Sequence, residues 1–217
     1  MAQGSRLPDG PLADLAADVT VVDTHLLAKA FRNYEQFQFW LAGDDRAEKP
    51  QSRDVIRAGG VAAVLPVDLA RREIILMHQF RFAAHIANGK GDLVEIVAGR
   101  VEAGEQAIDC ARRETVEEIS VEPTVLVELL TYMSSPGLSD EQITLFLAAI
   151  DASQVPDQGG AATEREVTRP MRVPIDAAVA ALAAGAMHSG PLVVALQWLA
   201  LNRNRLDEIV RAGTVQG

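Results

Sequence analysis

Between Gly99 and Val121 the chain reads GRVEAGEQAIDCARRETVEEISV. Glu114 and Glu118 stand four residues apart, with Glu117 beside them. On a helix that spacing stacks the carboxylates on one patch. Like charges so placed repel, so the patch needs a cation to relieve it. Arg112 and Arg113 are the nearby basic side chains, and Arg113 lies four before Glu117, where it can pair with it. A divalent ion is the other candidate, because hard carboxylate oxygens suit Mg²⁺ or Mn²⁺. A charged stretch is more often a solvated helix face. From these residues alone both readings stand.

The elements that must position the patch follow from periodicity. Residues 106–119 form the expected helix, with Ile108, Ala111, Thr115 and Ile119 on a stripe that faces the core. Ala107 and Cys110 precede Glu114 on its side and are small enough to leave room for an approaching group. Strands are expected at GGVAAVLPVD, EIILMHQF, LVEIVA, TVLVELLTYMSS and QITLFLAAI. HIANGKGD reads as a turn-rich loop. The C-terminal part reads as a Gly-rich loop, DQGGAATERE, followed by a helical tail in two pieces, PIDAAVAALAAGA and GPLVVALQWLALNRNRLDEIV. Ahead of all this, TVVDTHLLAKAFRNYEQFQFWLA predicts the strands of a small sheet, and GDDRAEKPQS a polar linker. The expected organisation is a mobile tail over residues 1–17, a small dimer-forming N-terminal β region over 18–50, and one larger domain over 51–217. Strands mixed with helices in the middle and at the end indicate an α+β fold of α/β/α layers.

Composition excludes several classes. The chain has 217 residues and a formal net charge of −10, which argues against a nucleic-acid backbone as partner. An anionic substrate stays open, since a bound cation reverses the sign of an acidic site. No apolar run is long enough to span a bilayer, and the first residues lack the pattern of a secretory signal. The lone cysteine, Cys110, precludes an intrachain disulfide and fits a reducing cytoplasm. It has no evident base partner, so a thiol nucleophile is not expected. His25, His78, His85 and His188 show no zinc spacing.

The acidic segment resembles the signature of the Nudix hydrolase family, G-x5-E-x7-R-E-U-x-E-E-x-G-U, where U is a bulky apolar residue. Gly99, Glu105, Arg113, Glu114, Glu117, Glu118 and Val121 fall in register. Thr115 departs mildly at the first U position, and Ser120 stands where the family has glycine. The resemblance implies a Nudix fold, with a mixed sheet between helices. It implies that Glu114 and Glu118 bind Mg²⁺ or Mn²⁺ with the backbone carbonyl of Ala98, that Glu117 supports them, and that Arg113 and Glu105 brace the loop and helix. Serine at 120 would take the left-handed helix-ending conformation at some cost, so altered local geometry with intact ligands is expected.

The likeness extends over residues 52–205. HQFRFAAHIANGKGDLVEIVAGRVEAGE, SSPGLSDE and VVALQWLALNR resemble segments of ADP-ribose and GDP-mannose pyrophosphatases in order and spacing. That branch implies that Arg81, and Arg53 more distantly, contact substrate phosphates. It implies that Glu141 lies near the terminal sugar, that Glu164 is a catalytic base and that Glu166 is a further metal ligand. Each also has a bland reading: a surface arginine, a solvated acid, an acidic loop. Phe31, Tyr34, Phe37, Phe39 and Trp40 read most simply as core or dimer-interface residues. By resemblance Phe31 or Tyr34 would stack on the nucleobase. The implied activity is metal-dependent hydrolysis of a nucleoside-diphosphate sugar, ADP-ribose to AMP and ribose 5-phosphate, by a cytoplasmic homodimer. GDP-mannose or another sugar nucleotide is the rival substrate. A catalytically weakened domain that senses a nucleotide sugar is the rival class.

Overall fold

A computed structural model describes residues 12–43, 48–159 and 168–214. The chain divides into two compact units, one ending at Arg57 and one starting at Ala58.

The first unit is a three-stranded antiparallel sheet of β1 (Val19–Lys29), β2 (Asn33–Leu41) and β3 (Gln51–Arg57), in the order β1-β2-β3. Its β-branched and aromatic content favours extended backbone. The β1–β2 register closes with Lys29 opposite Asn33. Phe31 at that turn is 88% exposed and is therefore no core residue, whereas Tyr34, Phe37 and Phe39 are half-buried. β3 pairs with β2 from Asn33 opposite Arg57 to Phe39 opposite Gln51. The first unit thus runs past residue 50, where the sequence places the boundary, because β3 is hydrogen-bonded into its sheet.

The second unit carries β4 (Gly60–Asp68), β5 (Glu73–Phe80), α1 (Phe82–Asn88), β6 (Asp92–Glu95), β7 (Val97–Arg100) and α2 (Ala107–Ile119). After these come β8 (Val125–Met133), β9 (Gln142–Ala149), β10 (Arg169–Pro174), α3 (Ile175–Ala183), α4 (Gly190–Asn202) and α5 (Leu206–Thr214). The sheet order is β10-β5-β4-β9-β8, with β6 on β5 and β7 on β4. β4 and β9 run parallel while the other named pairs are antiparallel, so the sheet is mixed. β4 shows how both faces are covered. Ala63, Leu65 and Val67 join the core under α3, α4 and α5, and Ala62 and Val64 join the core under α2. Period-two alternation of apolar residues to both faces builds the expected α/β/α layers.

β3 begins inside the expected linker GDDRAEKPQS, and the second unit departs from the expected elements in four places. LVEIVA is two strands, because β4 and β5 pair only at Val67–Ile74 and Asp68–Glu73. Beyond that point β6 follows β5 and β7 follows β4, with the switch at Ile96. Part of the expected loop HIANGKGD is α1, which buries no residue and ends on Gly89 at φ 75°. That left-handed stop is open to glycine without strain. The second helical piece breaks after Asn202 into α4 and α5, where Arg205 N–H donates to the Asn202 carbonyl. Finally, β10 was hidden by Pro170 and Pro174. Proline argues against a central strand but is tolerated on an edge, and β10 is an edge.

Candidate active site

The acidic patch lies where α2 crosses β7 and β4. The buried residues of α2 are Cys110, Ala111, Thr115, Glu118 and Ile119. Ile108, expected on that stripe, is 44% exposed. The buried face is rotated toward Cys110 and Glu118, which brings Glu118 itself down to 7% exposure. Thr115 takes the place of an apolar residue without an orphaned hydroxyl, because its Oγ1 donates to the Ala111 carbonyl at 2.6 Å.

Arg113 is the hub. Its Nε donates to Glu105 Oε1 at 3.0 Å and its Nη2 to Glu105 Oε2 at 3.1 Å, a two-pronged pair. Nη1 reaches Glu114 Oε1 at 2.6 Å and Glu117 Oε2 at 3.2 Å, and Nη2 also reaches the Arg100 carbonyl. One cation therefore offsets three carboxylates and ties α2 to the end of β7. Glu105 Oε2 further accepts from the Glu102 backbone N–H at 2.8 Å, which closes the turn before the helix. The hydrogen bonds from Arg113, then that from Glu102, hold the Glu105 carboxyl below the usual range. Glu105 and Glu114 in turn hold Arg113 firmly protonated. Burial, then the charges of Glu105 and Glu114, push the Cys110 thiol up to about 12. Cys110 is fully buried in the core beneath α2.

The glycine at 99 has a steric cause. A Cβ there would lie 1.8 Å from both Cδ and Oε1 of Glu114, so the carboxylate occupies the space a side chain would fill. Opposite it, the Ala98 backbone N–H donates to Glu118 Oε2 at 3.2 Å. Glu114 and Glu118 thus flank β7 at residues 98 and 99. Ser120 ends the helix at φ 56°, ψ 30°, its N–H on the Val116 carbonyl. The serine adopts the conformation that glycine adopts more cheaply, and the helix end is kept.

The structure brings together Ala98, Glu105, Arg113, Glu114, Glu117 and Glu118. Arg81 stands at the start of α1, where its Nε and Nη2 donate to Glu95 Oε2 at 3.0 and 2.8 Å. Glu95 escaped the sequence reading, although a lone acid in the apolar run LVEIVA was a signal. Glu141 lies at the mouth of β9, and its charge adds to the burial that raises the Tyr132 phenol to about 12. Phe31 and Arg53 belong to the first unit, Phe31 under the Arg32 guanidinium and Arg53 on Ser52 and Gln51. Glu164 and Glu166 lie outside the described residues. Among the described residues no three His, Cys, Asp or Glu side chains converge as a metal cage. The donor chemistry of Glu114 and Glu118 fits a hard divalent cation.

The chain matches the family profile described as NUDIX domain over residues 58–196. It is 30% identical over 190 residues to an ADP-ribose pyrophosphatase of Escherichia coli strain K12, covering 87% of this chain and 91% of that one. An ADP-ribose pyrophosphatase of Haemophilus influenzae is also 30% identical, over 88% of this chain and 90% of that one. A GDP-mannose pyrophosphatase of Escherichia coli O1:K1 is 25% identical over 87% of this chain and 98% of its own length. Among solved structures, an ADP compounds hydrolase superposes with a TM-score of 0.65 at 16% identity, over 87% of this chain and 97% of that chain. That likeness establishes the fold.

Proposed function

This chain belongs to the Nudix family, and from that membership we propose that it hydrolyses the diphosphate of ADP-ribose to AMP and ribose 5-phosphate. The observation that carries the substrate reading is the 30% identity to ADP-ribose pyrophosphatases over nine-tenths of their length. It joins an intact constellation around Arg113. The match to a GDP-mannose pyrophosphatase keeps that sugar nucleotide as the second reading. The sensor reading drew on Ser120, whose left-handed helix end preserves the ligand-bearing turn and so supports an enzyme.

In this reading the Ala98 carbonyl, Glu114, Glu118 and Glu166 would hold Mg²⁺ or Mn²⁺, which when bound would supply positive charge for the diphosphate and a more acidic water. Glu164 accepts the proton of the attacking water. The water oxygen bonds to one phosphorus while the bridging oxygen leaves with the other. Arg81, oriented by Glu95, holds the phosphates in line. Glu141 contacts the terminal sugar. Glu117 supports its neighbours, and Arg113 with Glu105 holds the loop and helix in register.

We place the enzyme in the cytoplasm as a homodimer built through the N-terminal sheet of β1, β2 and β3. The exposed apolar side chains of β1, among them Val21, Val22, Leu26 and Leu27, support that role. No helix among the described residues is long and apolar enough to cross a membrane. The test is a panel of sugar nucleotides with each divalent metal, reading AMP or GMP release. ADP-ribose should lead, and Glu164→Gln should slow turnover while metal affinity is kept. Preference for GDP-mannose would replace the substrate, and tight binding without turnover would revive the sensor.

A further inference from the structure

Glu118 is gripped from a second direction. Its backbone carbonyl belongs to the last turn of α2, where carbonyls have no partner inside the helix. Thr168, fully buried at the entrance to β10, donates its Oγ1 to that carbonyl at 3.2 Å. Thr168 also pairs with Gly159 through two backbone hydrogen bonds of 3.2 Å each. A Cβ on Gly159 would come within 2.0 Å of the same Glu118 carbonyl oxygen and 3.1 Å of Thr168 Oγ1. The pair therefore forms a close-fitting clasp on one atom, and only glycine at 159 lets the backbone approach so near. At the other end of the residue, the Ala98 N–H holds the Glu118 carboxylate.

We propose that Thr168 is a positioning residue for the metal-binding carboxylate of Glu118, acting with Gly159 through the Glu118 carbonyl. The proposal rests on the reading of Glu118 as a metal ligand. Rotation of Glu118 about its backbone swings the carboxylate away from Ala98, and the hydroxyl of Thr168 blocks that motion. A hydrogen bond that orients a ligand from behind commonly tunes affinity for the metal. A mere helix cap would stabilise the fold and leave metal affinity alone.

The experiment uses the full chain and Mn²⁺ alone as probe, with free ion read by electron paramagnetic resonance and unfolding followed separately. Thr168→Val keeps shape and loses the hydroxyl, Thr168→Ser restores it, and Gly159→Ala pushes on the carbonyl. Mn²⁺ affinity should fall about tenfold in Thr168→Val and Gly159→Ala, and return in Thr168→Ser. Thr168→Ala serves in the same way where the valine packs poorly. Wild-type Mn²⁺ affinity in a folded variant lacking the hydroxyl overturns the proposal. Turnover of the sugar-nucleotide panel is scored apart: a wild type that binds Mn²⁺ but hydrolyses none of them refutes the substrate reading and leaves the clasp to stand on the affinity series.

Discussion

Replacing Gly99 with alanine separates stability from function at one atom. The new Cβ would sit 1.8 Å from the Glu114 carboxyl, whereas ordinary contact begins at 3.4 Å. The carboxylate must therefore move by roughly 1.6 Å, assuming a rigid strand. Because it is the far end of a flexible side chain, it can do so by changing rotamer. The backbone of β7, paired with β4 at Ala62 opposite Gly99, need not shift. The structural loss is the 2.6 Å bond from Arg113 to Glu114. Arg113 keeps Glu105 and Glu117, so the cost is about 1 kcal/mol, or about 2–4 °C in melting temperature for a chain of this size. Catalysis is less forgiving. A misplacement of about 1 Å costs on the order of a hundredfold, which corresponds to about 2.7 kcal/mol of transition-state stabilisation. The assay pairs thermal unfolding with kcat/KM for ADP-ribose under saturating Mg²⁺. A drop of about a hundredfold with a small thermal shift is expected. Wild-type kcat/KM would refute the placement of Glu114 against Gly99 as the reason for the glycine. A collapse of the fold would show that the strand, rather than the side chain, is what yields.

Three further outcomes are expected. Glu118→Gln retains an oxygen to accept the Ala98 N–H and should fold normally, yet lose about a hundredfold in Mg²⁺-dependent turnover; equal rates would remove Glu118 from the metal set. Glu105 has its carboxyl held low in the folded state by Arg113 and Glu102. Its stabilisation is complete above the unfolded pKa of about 4.3 and is lost as pH falls through the depressed folded value. Glu105→Gln should therefore be less stable at neutral pH and lose less stability between about pH 5 and 2, as read by urea unfolding; parallel pH profiles would contradict this. Cys110, with its thiol pushed up to about 12, should resist aromatic disulfide reagents at about pH 8 in the folded protein and react at once in urea.

The helix and its signature were readable because they are local. Residues 99–121 carry their own spacing, and a spacing of four on a helix places Glu114 beside Glu118 whatever surrounds them. The strands of β4, β5, β8 and β9 were equally legible, since apolar runs bounded by turns announce themselves. Ile108 was misjudged because periodicity defines a stripe only to within a residue, and the sheet beneath chose the side with Cys110 and Glu118. β10 and α1 escaped for the converse reason. One is an edge strand whose pairing with β5 outweighs its prolines, and the other is a short helix with no buried residue to mark it.

The sequence by itself therefore determined the family, the acid-bearing helix and the layered α/β/α order, all of which rest on spacing along a few turns of chain. Tertiary structure decided what those acids touch. It placed Arg113 among Glu105, Glu114 and Glu117, brought Gly99 under Glu114, and put Thr168 on the carbonyl of Glu118, fifty residues earlier. It also split LVEIVA between two neighbours, and so carried Ala98 and Gly99 under α2. Such contacts depend on where β4 and β5 diverge and on which face of α2 meets the sheet. Packing settles both, because register and close approach are properties of two surfaces together.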